Sequence, residues 1–323
     1  MSHLFINQIR ENDKIDSIYR LSSKQLRPNK NGNLYLQFDL SDKTGTVSAR
    51  FWSITAEQAE YYENNGFVHV VGDTQRFQGN LQLIARKMTP VGLSDVNLAD
   101  YESSDKVDVP KRKARLQEIL RTITQPDLLN LADCFLADEA FMYDFCRAPA
   151  GIKLHHACIG GLLDHTTQMV EVAAQIAALY PQLNRSLLII GAFLHDIGKT
   201  KELGYENDFY YANQGQMLGH PVLGLEILIE KIREAETLTG EKFDEETAMM
   251  LKHLVLSHHG AYENQSVKLP MTLEAIALHY IDSLDSKVAE FQKYMRDDSN
   301  LSGVWTNYIP AIDRKLYKGN TEQ

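Results

Sequence analysis

Cysteine is scarce in this chain of 323 residues, and the few cysteines form no recognisable pattern. There are three, Cys134, Cys146 and Cys158, which are too few and odd in number for a disulfide framework. None of them belongs to a CxxC spacing, which argues against a zinc site built from thiolates.

Long apolar runs are also missing. No stretch approaches the ~20 residues that span a bilayer, and the opening segment MSHLFINQIRENDK has no apolar signal core. We therefore expect no membrane association and a cytoplasmic location. The composition, 44% hydrophobic and 24% charged, is ample for buried cores and excludes a disordered chain.

Basic residues are fewer than acidic residues, and the difference is unevenly distributed along the chain. The formal net charge is −10, yet residues 1–100 hold 11 basic and 11 acidic residues, so the remainder of the chain carries all of it. A net acidic chain is a poor non-specific binder of duplex nucleic acid. This balance still leaves room for a local basic groove that binds single strands.

The first 90 residues show the period-2 alternation of apolar and polar residues that is typical of β-strands. In the segment NLYLQFDL, for example, the leucines and the phenylalanine share one face. The pattern predicts five strands, over residues 15–22, 33–40, 46–52, 67–72 and 80–87. A short helix is predicted over 55–64, between the third and fourth strands. This order predicts an OB-type β-barrel over residues 1–90.

Residues 91–110 carry Pro, Ser and Asp without a sustained period, and we predict a linker there. From residue 111 the apolar residues recur at i, i+3 and i+4, which is the period of amphipathic helices, one of them predicted over 126–147. The chain is therefore predicted to be a multidomain α+β protein. Its five-stranded barrel precedes an all-α bundle over 111–300 and a C-terminal tail over 301–323.

Histidine, by contrast, is concentrated, since nine of the 11 histidines lie between His155 and His279. Imidazole is the commonest metal ligand, and buried imidazoles or carboxylates are costly unless they are paired or metal-bound. A single inward histidine is as readily a hydrogen-bonded core residue as a ligand. Five helical elements that share this feature indicate a common metal site. Its candidate ligands are His165, His195, Asp196, His220, His258, His259 and Asp282.

The order His165, His195-Asp196 and Asp282 resembles the H…HD…D motif of the HD-domain metal-dependent phosphohydrolases, over residues 150–296. The segment HDIGK, followed by His220 and the SHHG histidines, resembles the subgroup that holds two metal ions. The segments GGLLDHT, AFLHDIGK and LHYIDSLDSK behind an OB-like domain resemble the YhaM-type 3′→5′ exoribonucleases. Those enzymes shorten single-stranded RNA, and some also shorten single-stranded DNA.

This resemblance implies two divalent ions bridged by Asp196. The other ligands would form two groups of three, one for each ion: His165, His195 and Asp282, and His220, His258 and His259. The mixed nitrogen and oxygen ligands suit Mn²⁺, which we expect, with Fe, Co, Zn or Mg as alternatives. Asp196 and Lys199 are the expected catalytic residues, and a water activated by the metal would be the nucleophile.

Several neighbouring residues keep two interpretations. Lys199 would neutralise charge on the scissile phosphate, unless it is only a solvated lysine at a helix end. Whether His258 or His259 ligates stays open, because successive helical residues point about 100° apart. His279 is a candidate partner of a ligand. Asp285 is expected on the surface, with a hydrogen bond to a ligating histidine as the alternative.

The barrel sequence also contains a candidate surface for unpaired bases. A tight turn at 42–45 would place Tyr35 opposite Trp52, with Arg50 beside them on the same face. Exposed aromatic rings next to an arginine suit base stacking; the alternative is that Trp52 packs on the short helix or on the second domain. The predicted nucleic-acid contacts are Tyr35, Arg50, Trp52, Arg76, Phe77 and His156.

These observations favour a metal-dependent 3′→5′ exoribonuclease that hydrolyses single-stranded RNA, or single-stranded DNA, to nucleoside 5′-monophosphates. Its polarity is implied by the resemblance alone. An HD phosphohydrolase of small nucleotides is one alternative, although the GYP segment of the cyclic-di-GMP subgroup does not follow SHHG. A single-strand binder without catalysis is the other, and the complete ligand set argues against it. Assembly into a homo-oligomer stays open, since no interface is evident in the sequence.

Overall fold

A computed structural model describes residues 3–77, 80–101, 107–152, 158–205, 209–298, 300 and 303–319. The chain divides into two compact units. The barrel unit contains Met1–Asp105 together with Phe291–Gln323, and the helical unit contains Lys106–Glu290.

The barrel unit is built from five strands: β1 (Lys14–Pro28), β2 (Leu34–Asp42), β3 (Gly45–Trp52), β4 (Phe67–Phe77) and β5 (Asn80–Val91). A short helix, α1 (Ala56–Glu60), lies between β3 and β4 in the chain. The strands close into a barrel in the order β1-β2-β3-β5-β4, with β1 and β4 antiparallel and β3 and β5 parallel. The predicted OB-type barrel is confirmed.

The alternation in the sequence explains which side of each strand lines the barrel core. Leu36, Phe38 and Leu40 of β2 are buried, whereas the residues between them lie partly in solvent. A one-residue slip would turn the whole apolar set outward, so the register is strongly specified. Strands β2 and β3 pair in the predicted register, with Tyr35 opposite Trp52.

Strand β1 is longer than the predicted 15–22. Its pairing with β2 shifts between Ser22 and Gln25, and Ser23 has a φ of 54°. Such a bulge bends a strand and increases its twist, which lets β1 follow the curved wall of the barrel. The alternation of side chains is interrupted at that point. A strand predicted from alternation alone therefore ends at residue 22, whereas β1 continues to Pro28.

The helical unit contains ten α-helices within the described residues, and the last of them continues into the barrel unit. They are α2 (Val109–Leu120), α3 (Pro126–Ala137), α4 (Glu139–Phe145), α5 (Gly161–Leu179), α6 (Arg185–Leu194), α7 (Lys199–Glu202), α8 (Asn213–Leu218), α9 (His220–Thr239), α10 (Glu245–Ser257) and α11 (Leu273–Arg296). A two-stranded pair, β6 (Leu203–Gly204) and β7 (Tyr210–Tyr211), follows α7. None of the described helices is long and apolar enough to cross a membrane. The predicted α+β class is confirmed.

The single helix predicted over 126–147 is two helices in the structure. Helix α3 ends at Ala137, and Asp138 leaves the helical conformation with φ −78° and ψ 96°. The Asp138 carboxylate accepts a hydrogen bond of 2.9 Å from the backbone N–H of Phe141 and so caps α4. The apolar period continues across this break, which is why periodicity alone merged the two helices.

Helix α6 is the centre of the helical core. Every residue from Ser186 to Leu194 is buried. A helix that is apolar on all sides must be enclosed by other elements, and α6 contacts α3, α5 and α10. Its C-terminal end therefore has a fixed position, and the His195-Asp196 pair follows directly.

Candidate metal centre and nucleic-acid interface

His195 and Asp196 directly follow the last residue of α6, and this core helix positions both side chains in the interior of the helical unit. His195 is completely buried, and Asp196 is almost so. The following turn is closely packed: a Cβ on Gly198 would lie 2.0 Å from the carbonyl oxygen of His220. Only glycine permits this approach, and it brings the first residue of α9 against the HD pair.

The six other candidate ligands form two groups whose ligand atoms lie within 4.8 Å of one another. Helices α5, α6 and α11 supply the first group, and α9 with the end of α10 supplies the second. The two groups are His165, His195 and Asp282, and His220, His258 and His259. The structure therefore brings together all seven residues that the sequence analysis proposed as ligands.

Asp196 lies between the two groups. Its Oδ2 is 3.6 Å from His165 Nε2 and 3.4 Å from His195 Nε2. Its Oδ1 is 3.3 Å from His220 Nε2 and 3.7 Å from His258 Nε2. Each oxygen of one carboxylate thus faces a different group, which is the arrangement that a bridging ligand requires.

The histidine rings are oriented by hydrogen bonds at their outer nitrogens. His165 Nδ1 donates to Asp285 Oδ2 at 2.7 Å, and His220 Nδ1 lies 3.1 Å from both oxygens of Glu202. His195 Nδ1 donates to the carbonyl of Ala192 at 2.8 Å. A proton held on Nδ1 leaves the lone pair on Nε2, which is the tautomer that binds a metal through Nε2.

His258 follows the same rule, because its Nδ1 donates to the carbonyl of Val255 at 2.7 Å. The inner nitrogens then crowd together: His165 Nε2 is 3.1 Å from His195 Nε2, and His220 Nε2 is 3.1 Å from His259 Nε2. His165 and His195 both hold their proton at Nδ1, so their facing Nε2 atoms repel each other at this distance, and a shared cation removes the repulsion. The donor set therefore fits divalent metal ions.

The charges of the cluster support the same interpretation. Burial lowers the pKa of His258 well below its usual value, and His259 adds to the effect. For Asp196, burial acts to raise the pKa, but Lys199 and His195 outweigh it and hold the pKa well below its usual range. His258 is thus a neutral imidazole and Asp196 an ionised carboxylate, the forms that ligate metals. His195 differs, because burial acts to lower its pKa but Asp196 outweighs it and raises the pKa.

Lys199 lies inside the centre rather than at a solvated helix end. Its Nζ is 2.6 Å from Asp196 Oδ2, and its side chain is largely buried. Burial acts to lower the pKa of Lys199, but the Asp196 carboxylate outweighs it and raises the pKa. The ammonium group therefore keeps its charge beside the cluster.

Both members of the His258-His259 pair reach the second group, which the sequence left open. His220 Nε2 lies 3.4 Å from His258 Nε2 and 3.1 Å from His259 Nε2. Helix α10 ends at Ser257, and the two histidines lie in the turn that directly follows it. His279 supports this turn, because its Nδ1 donates to the carbonyl of His258 at 2.9 Å.

The predicted aromatic pair is present on the barrel. The rings of Tyr35 and Trp52 lie 4.6 Å apart, centroid to centroid, and 38% of Trp52 is exposed. The Arg50 guanidinium lies 5.7 Å from the Tyr35 ring, 5.6 Å from the Trp52 ring and 5.2 Å from the Phe77 ring. Arg50 Nε is buried without a hydrogen-bond partner among the described residues. These four residues are called the barrel platform below.

Two family comparisons match the two units. Residues 162–287 match the HD domain family, and residues 20–91 match the OB-fold nucleic acid binding domain family. The chain is also similar along its length to curated relatives. The 3′-5′ exoribonuclease YhaM of Bacillus velezensis is 31% identical over 320 residues, which cover 96% of each chain. That of Bacillus subtilis is 33% identical over 317 residues, which cover 95% of each chain.

The chain belongs to the YhaM exoribonuclease family. A domain of replication protein A from Methanococcus maripaludis also aligns, with 28% of this chain and 96% of its own at 15% identity. Its TM-score of 0.24 is too low to support an argument about function. The assignment therefore stands on the curated YhaM relatives and on the two domain families.

Sequence reasoning missed one residue of the YhaM-type centre and gave a second only as an alternative. Glu202, which it did not consider, is buried against His220, and its carboxylate also accepts from the His220 backbone N–H at 2.9 Å. Asp285 was expected on the surface, with a hydrogen bond to a ligating histidine as the alternative. The structure has the alternative, because Asp285 accepts from His165 Nδ1 and its side chain is only 15% exposed. Asp285 lies three residues after Asp282 on the same helix, so the two carboxylates share one face. That spacing was the available signal. Nothing in the sequence marks Glu202.

The remaining predicted nucleic-acid contacts have separate outcomes. Arg76 makes an ion pair, with its Nε 3.5 Å from Glu11 Oε2. Phe77 lies beside Arg50 as part of the barrel platform. His156 lies outside the described residues.

Proposed function

We propose that this chain is a metal-dependent 3′→5′ exoribonuclease that degrades single-stranded RNA and releases nucleoside 5′-monophosphates. The observation that carries the proposal is Asp196, whose two oxygens face two separate groups of ligands. Membership of the YhaM family supports the polarity and the substrate. Single-stranded DNA is the alternative substrate, to be tested in parallel.

The centre would hold two divalent ions, one in each group, with Asp196 shared between them. When bound, such ions would act as Lewis acids on the scissile phosphate and lower the pKa of a water toward neutrality. The ligand set, five imidazoles with two carboxylates, suits Mn²⁺, with Fe, Co, Zn or Mg²⁺ as alternatives.

The residues of the chain have distinct tasks in this reaction. The outer hydrogen bonds from His165 to Asp285 and from His220 to Glu202 hold the rings in place before substrate arrives. Lys199 carries a buried positive charge beside Asp196, where it offsets negative charge on the substrate phosphate. The low-dielectric surroundings strengthen this interaction.

The barrel platform would hold the strand while its 3′ end is hydrolysed. Unpaired bases stack on aromatic side chains, and each stacked base contributes about 1–3 kcal/mol by alanine substitution. Arg50 adds a positive charge that has no hydrogen-bond partner at Nε within the described residues. A mononucleotide substrate would not need this surface, so the platform favours a polymer.

The first experiment is digestion of 5′-labelled single-stranded RNA with Mn²⁺, with chelator as the control. We expect a ladder of shortening labelled products that requires the metal. Immediate release of labelled mononucleotide would reverse the polarity. Binding without cleavage would favour the non-catalytic alternative. Absence of both would favour a phosphohydrolase of small nucleotides.

Matched variants connect this activity to the centre. His195→Ala combined with Asp196→Ala should abolish cleavage and leave RNA binding intact. The control is His253→Ala, because His253 is on α10 but accepts from the backbone N–H of Met271 instead of facing the cluster. Cleavage that survives the double substitution would refute the assignment of the centre.

The barrel platform has its own prediction. Trp52→Ala should weaken the affinity for single-stranded RNA about tenfold, since one stacked base is lost. Trp52→Phe keeps an aromatic face and should retain most of the affinity. Binding isotherms measured in chelator, where the strand stays intact, check both. Unchanged affinity in Trp52→Ala would remove the platform from the proposal.

A further inference from the structure

The chain has two tryptophans, and neither lies in a core. Trp52 is 38% exposed in the barrel platform, and Trp305 is 50% exposed near the C-terminus. Tryptophan usually buries most of its large surface. The proposed function uses the first tryptophan and leaves the second without a role.

Trp305 belongs to a folded hairpin over residues 304–318, called the tail hairpin below. Trp305 and Tyr317 form an antiparallel bridge. The backbone N–H of Thr306 donates to the carbonyl of Leu316 at 2.8 Å, and the Leu316 N–H donates to Thr306 Oγ1 at 2.8 Å. Thr306 and Leu316 are both buried. The tail hairpin is therefore a built element with one inward and one outward face.

Asp298 anchors the tail hairpin. Its Oδ1 accepts from the backbone N–H of Asn307 at 3.0 Å, and its Oδ2 lies 3.1 Å from Lys318 Nζ. Lys318 and Asp298 are both largely buried. This pairing fixes both arms of the hairpin, so its outward side chains are held in place before any partner arrives.

The outward face repeats the chemistry of the barrel platform. Trp305 and Tyr317 are cross-strand neighbours with ring centroids 5.0 Å apart. Trp52 and Tyr35 are likewise cross-strand neighbours, with ring centroids 4.6 Å apart. Tyr317 is 56% exposed. Two tryptophan–tyrosine pairs of the same kind thus lie at the surface of the barrel unit.

Positive charge accompanies the second pair. The tail hairpin contains three basic residues and one acidic residue, in a chain whose net charge is −10. Arg314 and Lys315 are exposed, and no carboxylate among the described residues pairs with either. The acidic residue, Asp313, accepts a hydrogen bond from the Tyr308 hydroxyl. Aromatic faces beside unpaired cations are complementary to a single-stranded polyanion.

We propose that the tail hairpin is a second contact for single-stranded RNA, in which Trp305 and Tyr317 stack on bases and Arg314 and Lys315 contact phosphates. This inference rests on the proposed function, because it takes RNA as the substrate. It extends the footprint of the strand beyond the barrel platform. Long RNA then binds more tightly than RNA that reaches only one of the two surfaces.

The two tryptophans allow each surface to be observed separately in the full-length protein. Trp52→Phe leaves Trp305 as the only tryptophan, and Trp305→Phe leaves Trp52. Each variant is titrated with oligouridylate 20-mer in chelator, and tryptophan emission is recorded. We expect saturable quenching of Trp305 emission, because a stacked base quenches the indole.

The outcomes separate the inference from the proposed function. Quenching of Trp52 without any change at Trp305 would overturn the inference and leave the function standing. Quenching of neither, together with no cleavage of RNA, would overturn both. A change in Trp305 emission that follows protein concentration alone would show that a second copy covers the hairpin, which also overturns the inference.

A charge reversal gives a second, kinetic test. Lys315→Glu should raise KM for a 20-mer RNA about tenfold and leave kcat within a factor of two, because one phosphate contact is replaced by repulsion. The matched control is Lys242→Glu, an equal change of net charge at a lysine side chain that is 91% exposed in the helical unit. Equal effects of the two substitutions would assign the result to net charge and overturn the inference. A defect in kcat alone would do the same.

Discussion

At the residue scale, the centre depends on side chains that would not touch the metal. Glu202 and Asp285 hold the outer nitrogens of His220 and His165, and each lies where its carboxylate can accept an N–H. Burial acts to raise the pKa of Glu202, but the hydrogen bond from His220 outweighs it and lowers the pKa. Glu202 is therefore ionised and fixes the tautomer of its ring.

This role predicts a loss of metal affinity on substitution. Glu202→Ala should weaken Mn²⁺ binding about 10–100-fold, because the His220 ring loses its orientation. Calorimetric titration of the metal-free protein measures the change. Glu274→Ala is the matched control, since Glu274 is also buried but accepts from the backbone N–H of Asn184. Equal metal affinity in the two variants would contradict the role of Glu202.

Gly260 is a second residue-scale requirement, because it ends the turn that presents the paired histidines. Its φ is 79°, and a Cβ there would lie 2.2 Å from the His279 ring. Gly240 has a similar φ of 72° with nothing within 4 Å of a Cβ. Comparing the two glycines separates backbone strain from side-chain collision.

We expect Gly240→Ala to lower the free energy of unfolding by about 1–2 kcal/mol, which is the cost of a left-handed alanine. Gly260→Ala should lose about 1–3 kcal/mol more, because His279 must also move. Urea unfolding followed by far-ultraviolet circular dichroism measures both. Equal losses would show that the collision with His279 is relieved without cost.

At the element scale, Asp138 separates α3 from α4 and ties them to α9. Its carboxylate caps α4 and also accepts from Lys231 Nζ at 2.7 Å. The hydrogen bond from Lys231 lowers the pKa of Asp138. Lys231 itself is buried and also pairs with Glu234, so it keeps one partner if Asp138 is lost.

Asp138→Ala should therefore destabilise the protein by about 1–2 kcal/mol, mainly through the lost cap. Asp138→Asn keeps the cap and loses the charge, so its effect should be smaller and should depend on pH. A lowered pKa in the folded state stabilises above the ordinary pKa of the carboxyl, near about 4. That stability disappears as the pH falls through the folded pKa, so wild type and Asp138→Asn should converge in acid. Divergence toward low pH would contradict the ion pair.

At the scale of the whole molecule, the unfolding of the two units can be followed by two different spectroscopic signals, tryptophan emission and helical circular dichroism. Both tryptophans lie in the barrel unit, and most of the described helix lies in the helical unit. A ligand that binds only folded protein stabilises it by mass action. Metal should therefore protect the unit that contains the histidines.

We expect chelation to lower the melting temperature measured by helical circular dichroism, and Mn²⁺ to restore it. The melting temperature measured by tryptophan emission should change much less. Removal of metal leaves five crowded imidazoles in the helical unit, and the described residues of the barrel unit contain no equivalent group. Parallel shifts of both signals would mean that the two units unfold as one.

The sequence alone determined the barrel and selected the candidate ligands, for local physical reasons. Alternation with period 2 predicts strands, and a tight turn aligns Tyr35 with Trp52 without help from the remainder of the protein. The inward face of each amphipathic helix likewise selects the histidines that meet in the centre. The family was inferred from resemblance, because HDIGK and the segments GGLLDHT and LHYIDSLDSK are specific motifs.

Only the tertiary structure decided what lies around those ligands. Glu202 and Asp285 act through contacts with residues 18 and 120 positions away, and no periodicity encodes such distances. Lys199 became part of the centre because Asp196 is buried beside it. The same limit applies to the tail hairpin, where Trp305 meets Tyr317 across a turn that the sequence pattern does not mark. Local periods predict elements, whereas pairing between distant side chains depends on how those elements pack.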